Sequence, residues 1–244
     1  MSRQFAALIR HGAYRQLANT PSAHQGFPLT EHGCEQARDG AAVLAALASE
    51  HGWQVEAVID CSTLLRAWQT ASLFCVQLQA NAAVNKRAEL HLASYDVLAE
   101  RGLGSAANLS VDAIAKLIAE DPRFPALPAD WKSNSYFQLP LLGAESLMMA
   151  GQRVAKHIQQ QMDDLALVRT PPRATAADCL KVFVGHGAAF RHAAFQLGVL
   201  KFDDIAELSM YHCQPVILEH LGNGQWQHIA GNWKRRGVNE GAKD

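Results

Sequence analysis

The chain has 244 residues, of which 49% are hydrophobic, so it can bury the core of one α/β domain with an insertion. Its 22 Lys and Arg residues balance 23 Asp and Glu residues, and the net charge of -1 argues against nucleic acid or an anionic membrane as a partner. Any anion-binding site must therefore be a local cluster of cations. The longest apolar runs are too short for a membrane-spanning helix, which needs about 18 residues.

The cysteines and the N-terminal segment bear on the compartment. The five cysteines are odd in number and form no CxxC pair, which indicates free thiols in a reducing compartment. The first apolar stretch is interrupted by Arg10 and His11 and lacks the pattern of a secretory signal. We therefore expect a cytoplasmic protein.

Short apolar runs alternate with segments of helical periodicity along the chain. Thr30 and Gly52 are a typical N-cap and stop for the first helix. Residues 121–143 carry four prolines among aromatic residues, and we interpret about 105–145 as a cap insertion. The predicted elements are, in chain order, a strand at 4–10, the Thr30–Gly52 helix, a strand at 55–60, a helix at 63–79, a strand at 90–92, helices at 110–120 and 145–167, a surface loop at 169–178, a strand at 180–184, a helix at 188–198, and a hairpin of strands 215–221 and 226–230.

This alternation predicts an α/β sandwich with a mostly parallel sheet, in a single domain over 1–244. Ligands of such sheets bind beyond the carboxyl ends of the strands. Three predicted strands end there in conspicuous residues, namely Arg10-His11-Gly12, Cys61-Ser62 leading to Arg66, and Gly185-His186-Gly187. If these strands are neighbours, two histidines and two arginines meet at one edge of the sheet.

Two imidazoles and two guanidiniums at one edge suit a phosphoryl group. Guanidinium binds phosphate oxygens through paired hydrogen bonds, and a neutral imidazole nitrogen can attack phosphorus. Phosphoryl transfer depends on positioning and on stabilising spread negative charge, so such a cationic site can replace a magnesium ion. The sequence contains no GxxxxGK[ST] loop, no HExxH and no cluster of aspartates. We therefore expect neither a metal nor a cofactor.

Six ordered segments extend this interpretation over nearly the whole chain. They are LIRHG at 8–12, PLTEHGCEQA at 28–37, STLLRAWQTA at 62–71, LAERGLG at 98–104, GAES at 143–146 and VGHGAAFRH at 184–192. Together they resemble the motifs of the histidine phosphatase superfamily, in its phosphatase branch. The resemblance implies a phosphoglycerate mutase-like fold, which is a three-layer α/β/α sandwich with a small cap.

The resemblance also implies a reaction and a role for each residue at the strand ends. His11 would accept the phosphoryl group and become phosphohistidine, while Arg10, Arg66 and His186 would hold the phosphate oxygens. The implied activity is that of a metal-independent histidine acid phosphatase, which hydrolyses a small-molecule phosphate ester and releases inorganic phosphate. Specificity in this fold lies in loops and insertions, and residues 121–143 carry no readable substrate motif.

The proton carrier is implied by the fourth of the six segments. Glu100 would protonate the leaving oxygen and then activate water, although Glu89 and Asp96 are carboxylates nearby in the sequence. Arg101 would contact the substrate or lie at the rim of the pocket.

Two other functions remain open. A phosphoglycerate mutase would share the nucleophile, but it usually carries an adjacent Arg-Arg pair in the insertion, where this chain has Arg123 and Lys132. A non-catalytic phosphate-binding protein of the same fold is the second alternative, and the intact set of histidines and arginines argues against it. Nothing in the sequence specifies an oligomeric state.

Overall fold

The computed structural model describes residues 2–81, 89–168 and 177–237, and most of the loop predicted at 169–178 lies outside them. The strands are β1 (Gln4–Arg10), β2 (Gln54–Val55), β3 (Val58–Ser62), β4 (His91–Tyr95), β5 (Cys179–Gly185), β6 (Leu208–Met210), β7 (Pro215–Gly222), β8 (Gln225–Ala230) and β9 (Trp233–Arg235). The helices are α1 (Glu31–His51), α2 (Leu65–Ala80), α3 (Val111–Glu120), α4 (Leu147–Val168), α5 (Gly187–Gln196) and α6 (Phe202–Glu207).

The main sheet is mostly parallel, as the alternation of elements predicted. Its strand order is β4-β3-β5-β1-β7-β8, in which the first four strands run parallel and the last two are antiparallel to their neighbours. β2 pairs with the beginning of β5, and β6 and β9 form a separate two-stranded sheet. The three strands that end in the conspicuous residues are therefore adjacent, in the order β3, β5, β1.

Helices cover both faces of the sheet, which confirms the three-layer architecture. On β1, Phe5, Ala7 and Ile9 pack into the apolar cluster formed with α1 and α2. Ala6 and Leu8 point to the other face and pack with α4 and α5. Both faces of this strand are buried, so its sequence is continuously apolar instead of alternating. Full burial of each large side chain stabilises the fold by roughly 1.5–3 kcal/mol.

The ends of α1 follow the predicted capping residues. The Thr30 hydroxyl accepts a hydrogen bond from the Gly33 amide at 3.0 Å. Gly52 adopts the left-handed conformation with φ of 68°, and its amide donates to carbonyls of the last turn. The helix therefore begins and ends where its sequence signals predicted.

The segment predicted as a cap has an apolar cluster of its own. α3 begins after Ser110, whose hydroxyl accepts from the Ala113 amide at 3.1 Å. Trp131 is buried and packs with side chains from before and after α3. The buried members of this cluster are Ala23, Leu103, Ala106, Ile114, Trp131, Leu139 and Ala144.

The strand predicted at 55–60 is wrong in detail, because it is interrupted. Val55 pairs with Leu180, whereas Asp60 pairs with Phe183. The segment from Val55 to Asp60 is therefore two residues longer than the segment of β5 that it pairs with, and this bulge separates β2 from β3. β3 then continues to Ser62 and brings the start of α2 to the edge of the sheet.

The described residues contain neither a cluster of metal ligands nor a helix that could span a membrane. No group of three or more His, Cys, Asp or Glu side chains there is arranged to hold a metal ion. In the same part of the chain, every helix is too short or too polar to cross a membrane.

Candidate active site

The two histidines predicted to meet lie side by side at the carboxyl edge of the sheet. β1 and β5 are paired in register as far as Arg10 and Gly185, so His11 and His186 follow directly from neighbouring strands. The His11 amide donates to the Gly185 carbonyl at 2.9 Å, and the imidazole centroids are 5.1 Å apart. Both side chains are buried. The parallel pairing therefore determines the distance between the rings.

The hydrogen bonds of His11 assign its tautomer. Nδ1 lies 2.8 Å from the Gly12 carbonyl oxygen, which can only accept, so Nδ1 carries the proton. Nε2 accepts a hydrogen bond from Arg66 Nε at 3.1 Å and therefore holds a lone pair. Burial and the charge of nearby Arg66 hold the pKa of His11 well below its usual value. His11 is thus a neutral imidazole with a basic nitrogen directed at a guanidinium.

Arg66 is fully buried in the first turn of α2, and other groups hold its guanidinium from several sides. It donates to the carbonyls of Gln25 and Ala23, each at 2.8 Å, and to His186 Nδ1 at 3.2 Å. The Tyr14 ring lies beneath it, 4.6 Å from the guanidinium carbon. Burial lowers the pKa of Arg66, which means that its surroundings penalise the positive charge. An anion at this point would offset that penalty.

His186 forms the N-cap of α5 and is fixed through both ring nitrogens. Nδ1 accepts from Arg66, and Nε2 donates to Ser62 Oγ at 2.9 Å. Burial and the charge of Arg66 hold the pKa of His186 well below its usual value, so this ring is also neutral. Three neighbouring strands thus contribute to one contact network.

Arg10 lies against the start of α5. Its guanidinium donates to the Met210 carbonyl at 2.9 Å. A Cβ atom built on Gly187 would stand 3.1 Å from Cδ and Nε of Arg10, so glycine makes room for this side chain. We refer to His11, Arg10, Arg66 and His186 together as the His11 cradle.

Glu100 is not part of this network. It lies in the loop after β4, next to the first turn of α5. Its carboxylate accepts hydrogen bonds from the amides of Arg101 at 2.9 Å, Ala189 at 3.1 Å and Ala188 at 3.3 Å. The last two amides belong to the first turn of α5, directly after His186, where backbone N–H groups favour an anion. Glu100 is 5% exposed and faces a cleft.

This cleft, which we call the Glu100 cleft, has a volume of about 510 Å³. Arg101 lines it beside Glu100, is 7% exposed, and has a pKa lowered by burial. The structure therefore brings Arg66 and His186 into contact with His11, places Arg10 against the start of α5 that His186 caps, and places Arg101 on the wall of the cleft.

Sequence reasoning missed an ion pair that holds the loop carrying Glu100. Arg153 on α4 binds both carboxylate oxygens of Glu145 at 2.8 Å, and it donates to the carbonyls of Ala99 at 2.8 Å and Glu100 at 3.0 Å. Glu145 also accepts from the Gly102 amide at 2.9 Å. Burial opposes ionisation of Glu145, but Arg153 and Gly102 hold its pKa below the usual value. The GAES segment marked Glu145 in the sequence, whereas nothing there marked Arg153.

His212 was also missed. Its Nδ1 lies 2.5 Å from the His11 carbonyl oxygen, and its ring centroid is 5.6 Å from that of His11. It reaches this position from the turn after β6, about two hundred residues along the chain. No spacing rule connects residues so distant in sequence, so no signal for His212 was available.

Comparisons with known proteins identify the family and the fold. The family model described as histidine phosphatase superfamily (branch 1) matches residues 6–233. Among solved structures, a mycobacterial glucosyl-3-phosphoglycerate phosphatase superposes with a TM-score of 0.64 at 20% identity, covering 93% of this chain and 97% of its own. The α-ribazole phosphatase from Shigella flexneri gives a TM-score of 0.66 at 16% identity, covering 97% of this chain and 100% of its own.

A further structure, described as mycobacterial hydrolase 2, has a TM-score of 0.67 at 20% identity and covers 98% of this chain and 94% of its own. No curated protein sequence matches this chain. At these identities the structural likeness establishes the fold, whereas the family model spans almost the entire chain.

Proposed function

Because the chain belongs to the histidine phosphatase superfamily, we propose that it hydrolyses small phosphomonoesters through a phosphohistidine formed on His11. The observation that carries this proposal is the state of the His11 ring. Its proton is anchored on the Gly12 carbonyl, and its lone pair faces the guanidinium of Arg66. A neutral imidazole held in this way can attack phosphorus without first losing a proton.

In the first step, the substrate phosphate enters the His11 cradle. The guanidiniums of Arg66 and Arg10 bind its oxygens, and Arg66 Nε exchanges its bond to His11 for one to phosphate. Nε2 then forms a bond to phosphorus while the bond from phosphorus to the alcohol oxygen breaks. The phosphorylated ring carries positive charge, which the Gly12 carbonyl stabilises through Nδ1–H.

In its protonated form, Glu100 supplies the proton that the departing alcohol oxygen takes up. It is buried and faces the Glu100 cleft, whereas Glu89 and Asp96 are exposed. Asp96 also accepts a hydrogen bond from the Thr63 hydroxyl at 2.7 Å. In the second step, Glu100 takes a proton from water, the water oxygen attacks phosphorus, and the bond to Nε2 breaks to release inorganic phosphate.

The arginines provide the charge stabilisation that a bound metal ion supplies in other phosphatases, so we propose that activity is metal-independent. Hydrolysis of p-nitrophenyl phosphate in EDTA tests this, and we expect full activity. Intact-mass analysis of enzyme quenched during turnover at alkaline pH should detect a phosphoryl adduct that the His11→Ala variant lacks. Complete loss of activity with chelator, or turnover by His11→Ala, would contradict the mechanism.

A mutase of the phosphoglycerate type is a second candidate, favoured by one observation. Lys132 of the insertion lines the Glu100 cleft, where a second charged group of a phosphoglycerate would lie. Arg123 does not contribute, because it is exposed and binds Asp121 at 2.6 Å. Interconversion of 2- and 3-phosphoglycerate faster than phosphate release would favour the mutase. Phosphate binding without turnover of any ester would instead favour a non-catalytic protein.

A further inference from the structure

The Glu100 cleft has room for more than a phosphate group. Its volume of about 510 Å³ lies within the range of roughly 300–1,000 Å³ that is usual for small-molecule sites. Glu100, the proposed proton donor, is part of its wall. The portion of the substrate that leaves with the protonated oxygen must therefore occupy this cleft, an argument that rests on the proposed function.

The wall of the cleft is strongly basic. Four cationic side chains line it, whereas Glu100 is the one carboxylate among the described residues that do so. The chain as a whole has a net charge of -1, so this excess of cations is local and does not reflect the composition. The four basic residues are Arg101, Lys132, Arg191 and Arg236.

These cations reach the cleft from four separate parts of the chain. Arg101 follows Glu100, Lys132 belongs to the insertion, Arg191 lies on α5, and Arg236 follows β9. Hydrogen bonds to backbone carbonyls hold two of them. The Arg191 guanidinium donates to the Leu208 carbonyl at 2.7 Å, and the Arg236 backbone amide donates to the Glu207 carbonyl at 2.8 Å. Convergence of four such segments on one cavity indicates a built site for an anion.

The basic wall extends beyond the first cavity. A second cavity of about 660 Å³ shares Ser133, Arg191 and Arg236 with the Glu100 cleft and adds Arg235. Burial disfavours the positive charge of Arg101, as its lowered pKa indicates, and an anion beside it would relieve that cost. The second cavity therefore shares two of the cations of the Glu100 cleft and adds both Arg235 and the carboxylate Glu207.

We propose that the substrate carries a second anionic group, a carboxylate or a second phosphate, which Lys132 and Arg236 bind together with Arg101 in the Glu100 cleft. The first phosphate then lies in the His11 cradle, and the two anionic groups stand at opposite ends of the substrate. Charge-assisted hydrogen bonds to the second group fix the leaving oxygen beside Glu100.

Matched pairs of esters test this directly. In each pair one member carries the second anion and the other does not, namely 3-phosphoglycerate against glycerol 3-phosphate, and fructose 1,6-bisphosphate against fructose 6-phosphate. We expect kcat/KM of the wild-type enzyme to be about tenfold higher for the doubly anionic member of at least one pair, equivalent to ~1.4 kcal/mol of transition-state binding. Phosphate release is the measured quantity.

Two variants then identify the binding side chains. Lys132→Gln and Arg236→Gln should each lower the ratio of kcat/KM within the preferred pair towards one, chiefly by raising KM for the doubly anionic ester. The matched control is Lys116→Gln, since Lys116 lies on α3 outside the cleft, 74% exposed and 3.7 Å from Glu120. This control should leave the ratio unchanged.

The outcomes separate the two proposals. Equal kcat/KM within both pairs, or a preference that survives in both variants, would overturn the second-anion inference and leave the hydrolase standing. Absence of phosphate release from every ester would overturn both together. A preference that falls in Lys132→Gln and Arg236→Gln but not in Lys116→Gln is the result that the proposal requires.

Discussion

The His11 cradle and the Glu100 cleft differ in how the fold assembles them. Every residue of the cradle lies at the end of a parallel strand or in the first turn of the helix that follows one. The cleft takes its lining from the loop after β1, from the loop that carries Glu100, from the insertion, from α5, and from the segment after β9. Sheet pairing therefore fixes the reacting end, whereas loops and short elements shape the end that would select the substrate.

Their electrostatics differ in the same way. In the cradle, burial keeps both histidines neutral while Arg66 provides charge, so nucleophile and cation coexist within hydrogen-bond distance. In the cleft, Glu100 faces several cations. Under the proposed function, the cradle would perform the chemistry common to many phosphate esters, and the cleft would distinguish among them.

Removing the nucleophile should have the largest effect. We expect His11→Ala to lower kcat for every phosphomonoester by at least on the order of 10⁴-fold, because the proposed covalent intermediate cannot form without this imidazole. His32→Ala is the control, since that imidazole is 71% exposed on α1. Residual activity near wild-type in His11→Ala would show that the cradle is not the reacting end.

The comparison predicts that Glu100→Gln depends on the leaving group. Alkyl phosphates should lose roughly 10²- to 10⁴-fold in kcat, because the departing alkoxide needs a proton. p-Nitrophenyl phosphate should lose far less in the first step, because nitrophenolate departs without one. Rapid-quench kinetics should then detect a burst of nitrophenol followed by slow release of phosphate. An equal loss in the rate of the first step for both esters would argue against Glu100 as the acid.

A smaller effect is expected at the ion pair that holds the Glu100 loop. Arg153→Gln removes the paired contacts to Glu145 and the bonds to backbone carbonyls near Glu100, so the carboxylate loses its position. We expect kcat for alkyl phosphates to fall roughly 10- to 100-fold with little change in KM.

The signature of such positioning is its dependence on the leaving group. Arg153→Gln should slow alkyl phosphates more than p-nitrophenyl phosphate, as Glu100→Gln does, whereas a general loss of stability would affect both equally. Arg123→Gln is the matched control, because it breaks an exposed ion pair with Asp121 that lies outside the cleft.

The smallest predicted effect concerns stability at low pH. Burial lowers the pKa of His192 on α5 from 6.5 to about 4, and it lowers those of His11 and His186 as well. The unfolded chain therefore binds more protons than the folded one once the pH falls below about 6.5. Stability is fully present above that pH and is lost as the pH falls towards 4; for His192 alone the loss is ~3 kcal/mol.

Thermal unfolding between pH 7.5 and 4.5 measures this loss, and His192→Gln should show a weaker dependence on pH than the wild type. A Tm that stays constant over this range would contradict the assignment of neutral buried imidazoles.

Much of the cradle could be predicted from the sequence because its signals are local. His11 and His186 each follow an apolar run and stand between residues that mark a strand end, and Arg66 begins a helix after another such run. Adjacent parallel strands then bring these residues to one edge without further information. The sheet order β3-β5-β1 confirmed that expectation.

The cleft could not be predicted because its positions depend on long-range pairing. Arg236 reaches the cavity because β9 pairs with β6, where Arg235 stands opposite Leu208. Strands of three residues carry no periodicity, so neither strand was predicted. Arg153 lies on a correctly predicted helix, yet its partners depend on how α4 packs against the loop before Glu100. Sequence periodicity predicts where a helix lies, but it does not predict which groups the polar side chains of that helix will bind.

One helix contacts both a proposed phosphate ligand and the proposed proton carrier. His186 caps α5, and the carboxylate of Glu100 is tied to the amides of Ala188 and Ala189 in its first turn. A displacement of α5 would therefore move His186 relative to His11 and would pull on the Glu100 carboxylate, whose backbone Arg153 holds from α4. Movement of this helix would thus disturb phosphate binding by His186 and proton transfer by Glu100 at the same time.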